Sequence, residues 1–267
     1  MVELDPWIRA FYRDRYVEDD RLARSGHGRL EFLRTQELLR RWLPPASVVL
    51  DVGGATGAHA RWLASDGHQV TLVDPVDEHV HQAATIGTFE AHVGDARHLE
   101  QPDASVDVTL LLGPLYHLVE AADRAQALSE AARVTRPGGL VVAAGINRYA
   151  GLLEWGSSGG LSEAVERECI EAFETGRSHD NPSGFTNAYF HHADELTAEF
   201  AAAGLADIET LGVEGPAVTV LHLATPEEAD ILLPSAIRLA RRLEADPRLI
   251  SASFHFLTRG TVGQYTE

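Results

Sequence analysis

At 267 residues, with 45% apolar and 23% charged residues, the chain can form one large α/β domain and has the balance of a globular protein. Its 22 basic residues face 40 acidic ones, a net charge of −18, which argues against DNA or RNA as partner because polyphosphates are bound largely through Lys and Arg. No apolar run is long enough to span a bilayer, no secretory signal is evident, and the lone Cys169 excludes an internal disulfide or a multi-cysteine metal site. A cytoplasmic protein without a membrane partner is expected, as a monomer or homodimer.

Residues 1–43 read as a helical cap. Trp7, Phe11 and Tyr12 share a face, Leu30, Leu33, Leu38 and Leu39 continue a helical period, and Pro44-Pro45 ends it. Strands are then predicted near 47–52, 69–74, 88–93, 105–112 and 139–146, with helices near 57–66, 77–86 and 121–135. That alternation implies an α/β fold, a doubly wound, mostly parallel sheet covered on both faces. After Ile146 the rhythm changes. Residues 147–192 are rich in Gly, Ser, Asn and aromatics around a helix at 161–175, and are expected to form a lid insertion over the ligand edge. A helix at 193–203, a strand near 206–213, a helical insertion within 214–247 and a last strand near 250–259 complete seven strands in a single domain spanning 1–267.

The first strand ends Val48-Val-Leu-Asp51-Val-Gly53-Gly54-Ala55-Thr-Gly57, an apolar run that turns into small residues where backbone can approach a ligand closely. The second ends Leu72-Val-Asp74-Pro75, and a carboxylate there can accept hydrogen bonds from ribose hydroxyls. The third ends in Gly94-Asp95-Ala96, where a second carboxylate suits an adenine amine. The fourth ends Leu111-Leu112-Gly113-Pro114-Leu115-Tyr116-His117. The glycine spacing departs from the Gly-x-Gly-x-x-Gly of dinucleotide oxidoreductases.

These segments, with Arg133-Val-Thr-Arg-Pro-Gly-Gly-Leu140, resemble in order and separation the class I S-adenosylmethionine (SAM)-dependent methyltransferases, over about residues 45–260. The resemblance implies a Rossmann-like methyltransferase fold, SAM as cofactor and S-adenosylhomocysteine (SAH) as product. By position it implies that Asp51 and the Gly53, Gly54, Ala55, Gly57 backbone face the methionine part. Asp74 and Pro75 would hold the ribose, Asp95 and Ala96 the adenine, and Leu112 and Gly113 the amino-acid end. Tyr16, in the N-terminal segment, would reach the same end. The family usually has Gly where this chain has Ala55.

Methyl transfer from a sulfonium is an in-line displacement that needs positioning, exclusion of water and, for a protonated nucleophile, a base. Tyr116 and His117 after the fourth strand, and Tyr189 and His191 in the aromatic run 185–192, are the catalytic candidates; His192 could instead cap the next helix. Asn147, Arg148 and Tyr149 offer a site for a substrate carboxylate. No His-Glu-x-x-His or similar spacing occurs, so a metal-free site is expected. The expected reaction is methyl transfer to an N- or O-nucleophile on an amino-acid-like or secondary metabolite. The alternatives are a SAM-consuming cyclase that releases methylthioadenosine, an NAD-linked oxidoreductase, and a non-catalytic SAM-binding module.

Overall fold

The computed structural model describes residues 22, 25–179 and 185–263. Tyr16 and most of the N-terminal cap residues lie outside the described residues. The first complete element is helix α1 (Gly26–Trp42), whose N-cap Ser25 accepts the Gly28 N–H at 3.1 Å. There follow β1 (Val48–Val52), α2 (Ala58–Ser65), β2 (Gln69–Asp74), α3 (Asp77–Ala84), β3 (Glu90–Val93) and β4 (Val106–Leu111). Next come a single turn α4 (Pro114–His117), α5 (Ala121–Val134) and β5 (Thr135–Ile146). The remainder comprises α6 (Ala150–Ser158), α7 (Glu163–Thr175), β6 (Arg177–Ser178), β7 (Ala188–Tyr189), α8 (Ala193–Ala202), β8 (Leu205–Gly212), α9 (Val218–Leu223), α10 (Pro226–Leu243) and β9 (His255–Val262).

Seven strands form one sheet in the order β3-β2-β1-β4-β5-β9-β8. All run parallel except β9, which is antiparallel to both β5 and β8. The doubly wound, mostly parallel α/β sheet expected from the sequence is therefore present. Alternate strand residues serve opposite faces. Leu50, Val52, Leu111, Val141, Ala143 and Phe256 pack on Ala127, Leu128 and Val134 of α5 and Leu196 and Phe200 of α8. Val49, Leu72, Val108, Leu110, Val142 and Leu257 pack on Leu38, Leu39 and Trp42 of α1 and Trp62 and Leu63 of α2. The strand order reverses between β1 and β4, which opens a crevice at their carboxyl ends where open α/β sheets bind ligands.

Three local departures from the sequence reading have physical causes. Residues 150–158 form a helix despite Gly151, Gly156 and two serines, because Ala150 and Leu153 bury against Val218 and Phe254. The last strand starts at His255, not near 250, because Ile250–Ala252 is a 3-10 turn. The Asn147 Nδ2 holds that turn through the carbonyls of Ile250 at 3.1 Å and Ser253 at 3.0 Å. Finally, β5 begins at Thr135, paired with Val106, and a register shift carries it past Pro137-Gly138-Gly139.

Candidate active site

The crevice holds a cavity of about 1290 Å³, its open mouth included. On the β1, β2 and β3 side it is lined by Asp51, Gly53, Gly54, Ala55, Asp74, Pro75, Asp95, Ala96 and Arg97. Leu112, Gly113, Tyr116 and His117 form the wall after β4. Gly57 is not part of the lining. It caps α2 in the left-handed region at φ 90, where an added Cβ would meet the Phe89 ring at 2.6 Å.

The loop after β1 is tied down by its own backbone. Gly53 N–H donates to the Val73 carbonyl at 2.6 Å and Gly57 N–H to the Gly54 carbonyl at 2.9 Å. A Cβ at Gly54 would fall 2.7 Å from Asp51 Oδ2 and 2.7 Å from the Leu72 side chain, so only glycine lets the loop lie over that carboxylate. Ala55 adopts φ 47, the left-handed region that glycine enters freely and alanine at a cost of about 1 kcal/mol. Its N–H donates to Asp74 Oδ2 at 2.9 Å, which holds the strained residue in place.

Asp51 is 1% exposed, and among the described residues its Oδ2 has no hydrogen-bond partner. Burial, reinforced by the charge of Asp74, pushes its carboxyl up to about 7. Asp74 accepts three hydrogen bonds, from the N–H groups of Ala55 and Val76, each at 2.9 Å, and from His79 Nδ1 at 3.3 Å. A carboxylate has about four lone-pair sites, so Asp74 retains acceptor capacity for a ligand hydroxyl. Asp95 is similarly engaged: Arg97 donates to it from its backbone at 2.8 Å, from Nε at 3.0 Å and from Nη2 at 2.7 Å. Burial works against the Asp95 charge, but these bonds outweigh it and hold the carboxyl below its usual range.

Across the switch point the cavity continues to Glu31 and Thr35 of α1, His59 of α2, Ala144, Val213 after β8, and His255 and Leu257 of β9. Glu214, 1% exposed, accepts the His255 backbone N–H at 3.0 Å through Oε2 and bonds its ring Nδ1 at 2.6 Å through Oε1. Glu31 Oε2 lies 3.8 Å from the same nitrogen. Among the described residues, Glu31, Glu214 and His255 form one triad whose ligand atoms lie within 4.8 Å of one another. The 2.6 Å separation of Nδ1 from Oε1 is nonetheless that of a hydrogen bond. Two ligands of one ion with bonds of about 2 Å stand roughly 3 Å or more apart.

The structure separates the four catalytic candidates. Tyr116 and His117 line the cavity, packed together with ring centroids 4.8 Å apart and with Phe185 5.6 Å from His117. Burial pushes His117 down to about 4, against the opposing effects of a backbone hydrogen bond to Asn187 and the Asp74 charge, so it is a weak base at neutral pH. Tyr189 and His191 do not line the cavity. His191 is 0% exposed, bonds Glu199 Oε2 at 3.3 Å, and is held below the usual histidine range by burial in spite of that carboxylate. Tyr189 lies 3.7 Å beneath the Arg124 guanidinium, and its hydroxyl accepts from Arg148 Nη2 at 2.8 Å. Both residues belong to an internal network that joins β7 to α8.

Arg148 belongs to that network too, and this corrects its expected role as a carboxylate clamp. Its Nε donates to the Phe190 carbonyl, its Nη2 to Tyr189 and to Glu195 Oε1 at 2.8 Å, and its Nη1 faces the Phe173 carbonyl at 3.5 Å. Asn147 pins the turn before β9. His192 is the N-cap of α8, in a reciprocal capping box with Glu195. Conversely, sequence reasoning missed Glu31, Thr35, His59, His79, Arg97 and His255. Arg97 follows Asp95 closely enough to have been read as its partner. The others come from separate elements that only the fold brings together.

Residues 50–143 match the family described as "Methyltransferase domain". An uncharacterised methyltransferase of Mycobacterium tuberculosis is 41% identical over 102 residues, which are 37% of this chain and 40% of the relative. The 2-methyl-6-phytyl-1,4-hydroquinone methyltransferase of Synechocystis is 36% identical over 111 residues, covering 40% of this chain and 34% of that protein. The matches thus span less than half the length of these curated relatives. A SAM-dependent methyltransferase structure from Methanosarcina mazei superposes with a TM-score of 0.58 at 16% identity, over 85% of this chain and 98% of that one, a likeness of fold. Residues 50–143 thus match a methyltransferase domain, the sheet around them has the fold of SAM-dependent methyltransferase structures, and SAM is the cofactor these likenesses support.

The residues present fit that cofactor. SAM carries a sulfonium and an ammonium group, and Asp51 places a buried carboxyl at the glycine loop, whose ionised form a bound cation would favour. Asp74 and Asp95 each keep one acceptor position for a ribose hydroxyl and an adenine amine. Gly53 and Gly54 line the cavity beside these carboxylates.

Proposed function

We propose that the protein transfers the methyl group of SAM to a small-molecule nucleophile, an O- or N-acceptor of amino-acid-like or secondary-metabolite type. The observation that carries this is the cavity itself. It runs without a break from Asp51, Asp74 and Asp95 across the switch point to a second half lined by Glu31, Thr35 and His255, large enough to seat an acceptor beside the donor. When bound, SAM supplies an electrophilic methyl on a positively charged sulfur. The chain's own residues orient it: Asp51 toward the charged amino-acid end, Asp74 and Pro75 toward the ribose, Asp95 and Ala96 toward the adenine, and Leu112 and Gly113 through their backbone.

In this reading the chain is one domain and residues 147–192 form its lid. Phe185 supports that, since it stacks on His117 and lies 6.3 Å from Tyr116 at the cavity wall. A net charge of −18 goes with a small-molecule acceptor rather than a nucleic acid. Among the described residues no helix is long and apolar enough to cross a membrane. A cytoplasmic monomer or homodimer accords with this reading.

Calorimetry with SAH and turnover of methyl-labelled SAM against a panel of phenols and amines test the proposal. SAH as the product of SAM, with label in the acceptor, is the expected result. Methylthioadenosine as product, or binding of NADH without binding of SAH, overturns it.

A further inference from the structure

Three alternate residues near the end of the 147–192 insertion reach the turn after β4, two directly and one through an arginine. The Phe185 ring lies 5.6 Å from that of His117 and 6.3 Å from that of Tyr116. The Asn187 backbone shares a hydrogen bond with His117. Tyr189 takes a different partner: its ring lies 3.7 Å beneath the guanidinium of Arg124, in the first turn of α5. Ala188 and Phe190, between and after them, pack the other way on Ala172 of α7. Gly176 closes on the Tyr189 ring, where an added Cβ would stand 2.7 Å away.

Arg124 is 3% exposed, and its donors are spread over three elements. Nη1 donates to the carbonyls of Leu118 at 3.0 Å and Val119 at 2.9 Å, the two residues that follow His117. Leu118 lines the cavity beside Tyr116 and His117. Nε donates to Glu199 Oε1 at 2.9 Å, and Nη2 pairs with the same oxygen at 2.8 Å. Glu199, on α8, is bonded in turn by the ring of His191, two residues past Tyr189, at 3.3 Å. One buried guanidinium therefore joins the cavity wall, the insertion and α8. Two carbonyl oxygens aimed at one point repel each other unless a cation sits between them. The planar fork of arginine serves both and the carboxylate while its face takes the aromatic ring. A lysine ammonium can pair with Glu199, but it has no fork or face with which to hold all of these groups at once.

Resting on that reading, in which residues 147–192 are the lid, we propose that Arg124 is a positioning residue that couples lid residues 185–191 to cavity-wall residues 116–119. The wall has its working shape only while Tyr189 is seated against the guanidinium. Arg124 does not line the cavity, so it acts through Leu118 and its neighbours and not on a ligand. The coupling runs in both directions. Without the Tyr189 ring, the guanidinium loses the surface that fixes its plane, and the two carbonyls it holds are released with it. Without the guanidinium, Tyr189 loses its stacking partner and Glu199 is left to His191. The carboxylates of the glycine-loop side are held by separate bonds, as Asp74 is by the Ala55 N–H. The coupling therefore sets how the acceptor lies against residues 116–118 and leaves the grip on SAM nearly unchanged.

Hydrogen exchange and kinetics on the full chain test this, with Arg124→Lys, Tyr189→Leu, Tyr189→Phe and the Arg124→Lys/Tyr189→Leu double variant. The Leu118 amide, bonded to the Pro114 carbonyl at 3.1 Å, reports on the wall. The Phe190 and His191 amides, bonded to the carbonyls of Gly176 at 2.6 Å and Ile146 at 2.8 Å, report on the lid. Tyr189→Leu should speed exchange at Leu118, and Arg124→Lys at Phe190 and His191, by about tenfold, while the amides of β1 and β2 keep wild-type protection. Tyr189→Phe keeps the ring face and should return Leu118 to within about twofold of wild type, and the double variant should exchange there no faster than the worse single one. With methyl-labelled SAM and a panel of phenols and amines, Arg124→Lys should raise the acceptor KM about tenfold and leave the SAM KM and SAH affinity within about threefold. Unchanged exchange at Leu118 in Tyr189→Leu overturns the proposal. So do faster exchange throughout the sheet, which marks lost global stability alone, strictly additive effects in the double variant, or a SAM KM that rises as much as the acceptor KM. If Arg124→Lys does not fold, Tyr189→Leu against Tyr189→Phe decides by itself. If the wild type binds no SAH, the methyltransferase reading fails, and the exchange measurements still decide the coupling.

Discussion

The backbone N–H of Ala55 donates to Asp74 Oδ2 at 2.9 Å, so the residue that bends the glycine loop and the carboxylate that ends β2 are one unit. Asp74→Asn keeps the size but turns an anion into an amide. It should weaken SAH binding by about 1–3 kcal/mol, through a lost ligand bond and a looser loop. Calorimetry on a variant with wild-type circular dichroism checks this, and unchanged affinity would contradict the role of Asp74. Ala55→Gly relieves the left-handed strain of about 1 kcal/mol but gains chain entropy in the unfolded state, so stability should move by less than about 1 kcal/mol. Urea unfolding measures it.

Asp51 makes a prediction in pH. Its carboxyl is raised to about 7 in the folded protein, from an ordinary value near 3.8. Between those values the folded state binds more protons than the unfolded one, so stability falls as pH rises through this window, by up to about 4 kcal/mol. Asp51→Asn should flatten that slope and be the more stable protein at pH 8, while losing SAM affinity. A bound cation favours the ionised carboxylate, so SAM binding at pH 6 should release a fraction of a proton. Calorimetry in two buffers of different ionisation heat reads that release directly, and equal heats would count against it.

His117 gives the opposite sign. Its folded value is lowered to about 4, so its contribution to stability is complete above about 6.5 and is lost as pH falls toward 4. His117→Asn should show a shallower loss of stability between pH 6.5 and 4 than the wild type. Denaturation midpoints across that range decide it; an identical slope would mean that His117 is not held neutral by the fold.

Arg34 supports Val213, a residue of the cavity lining. Fully buried, it donates to the Val213 carbonyl at 3.3 Å and pairs with Glu37 and Glu244. Arg34→Met removes the cation and leaves the Glu244 carboxylate with Arg41 alone, so about 3 kcal/mol of stability should be lost. Thermal melts test this, and a shift of under a degree or two would show that the network contributes little.

Much of the parallel half was legible because fully buried strands are apolar runs that stop at the ligand edge. Asp51 and Asp74 stand at the ends of such runs, Asp95 follows the exposed strand β3, and all three line the cavity. The second half was less legible. α6 is written in glycine and serine and becomes helical through contacts with Val218 and Phe254. The turn at 250–252 has the residues of a strand, but Asn147, more than a hundred positions away in sequence, claims its carbonyls. Tyr189 and His191 look like site residues in a local reading because aromatic and imidazole groups cluster there, yet Arg124, Arg148 and Glu199 draw them inward.

The sequence by itself determined most of the sheet, the glycine loop and the three carboxylates that line one half of the cavity, because strand periodicity and turn chemistry are local properties of the chain. It also bounded the partner through net charge. Only the tertiary structure decided the second half of the cavity. Glu31, Glu214 and His255 stand far apart in sequence, on a helix, a loop and the one reversed strand, and no spacing rule links them. They meet because β9 runs antiparallel between β5 and β8, which brings its first residue to the edge where the parallel strands end.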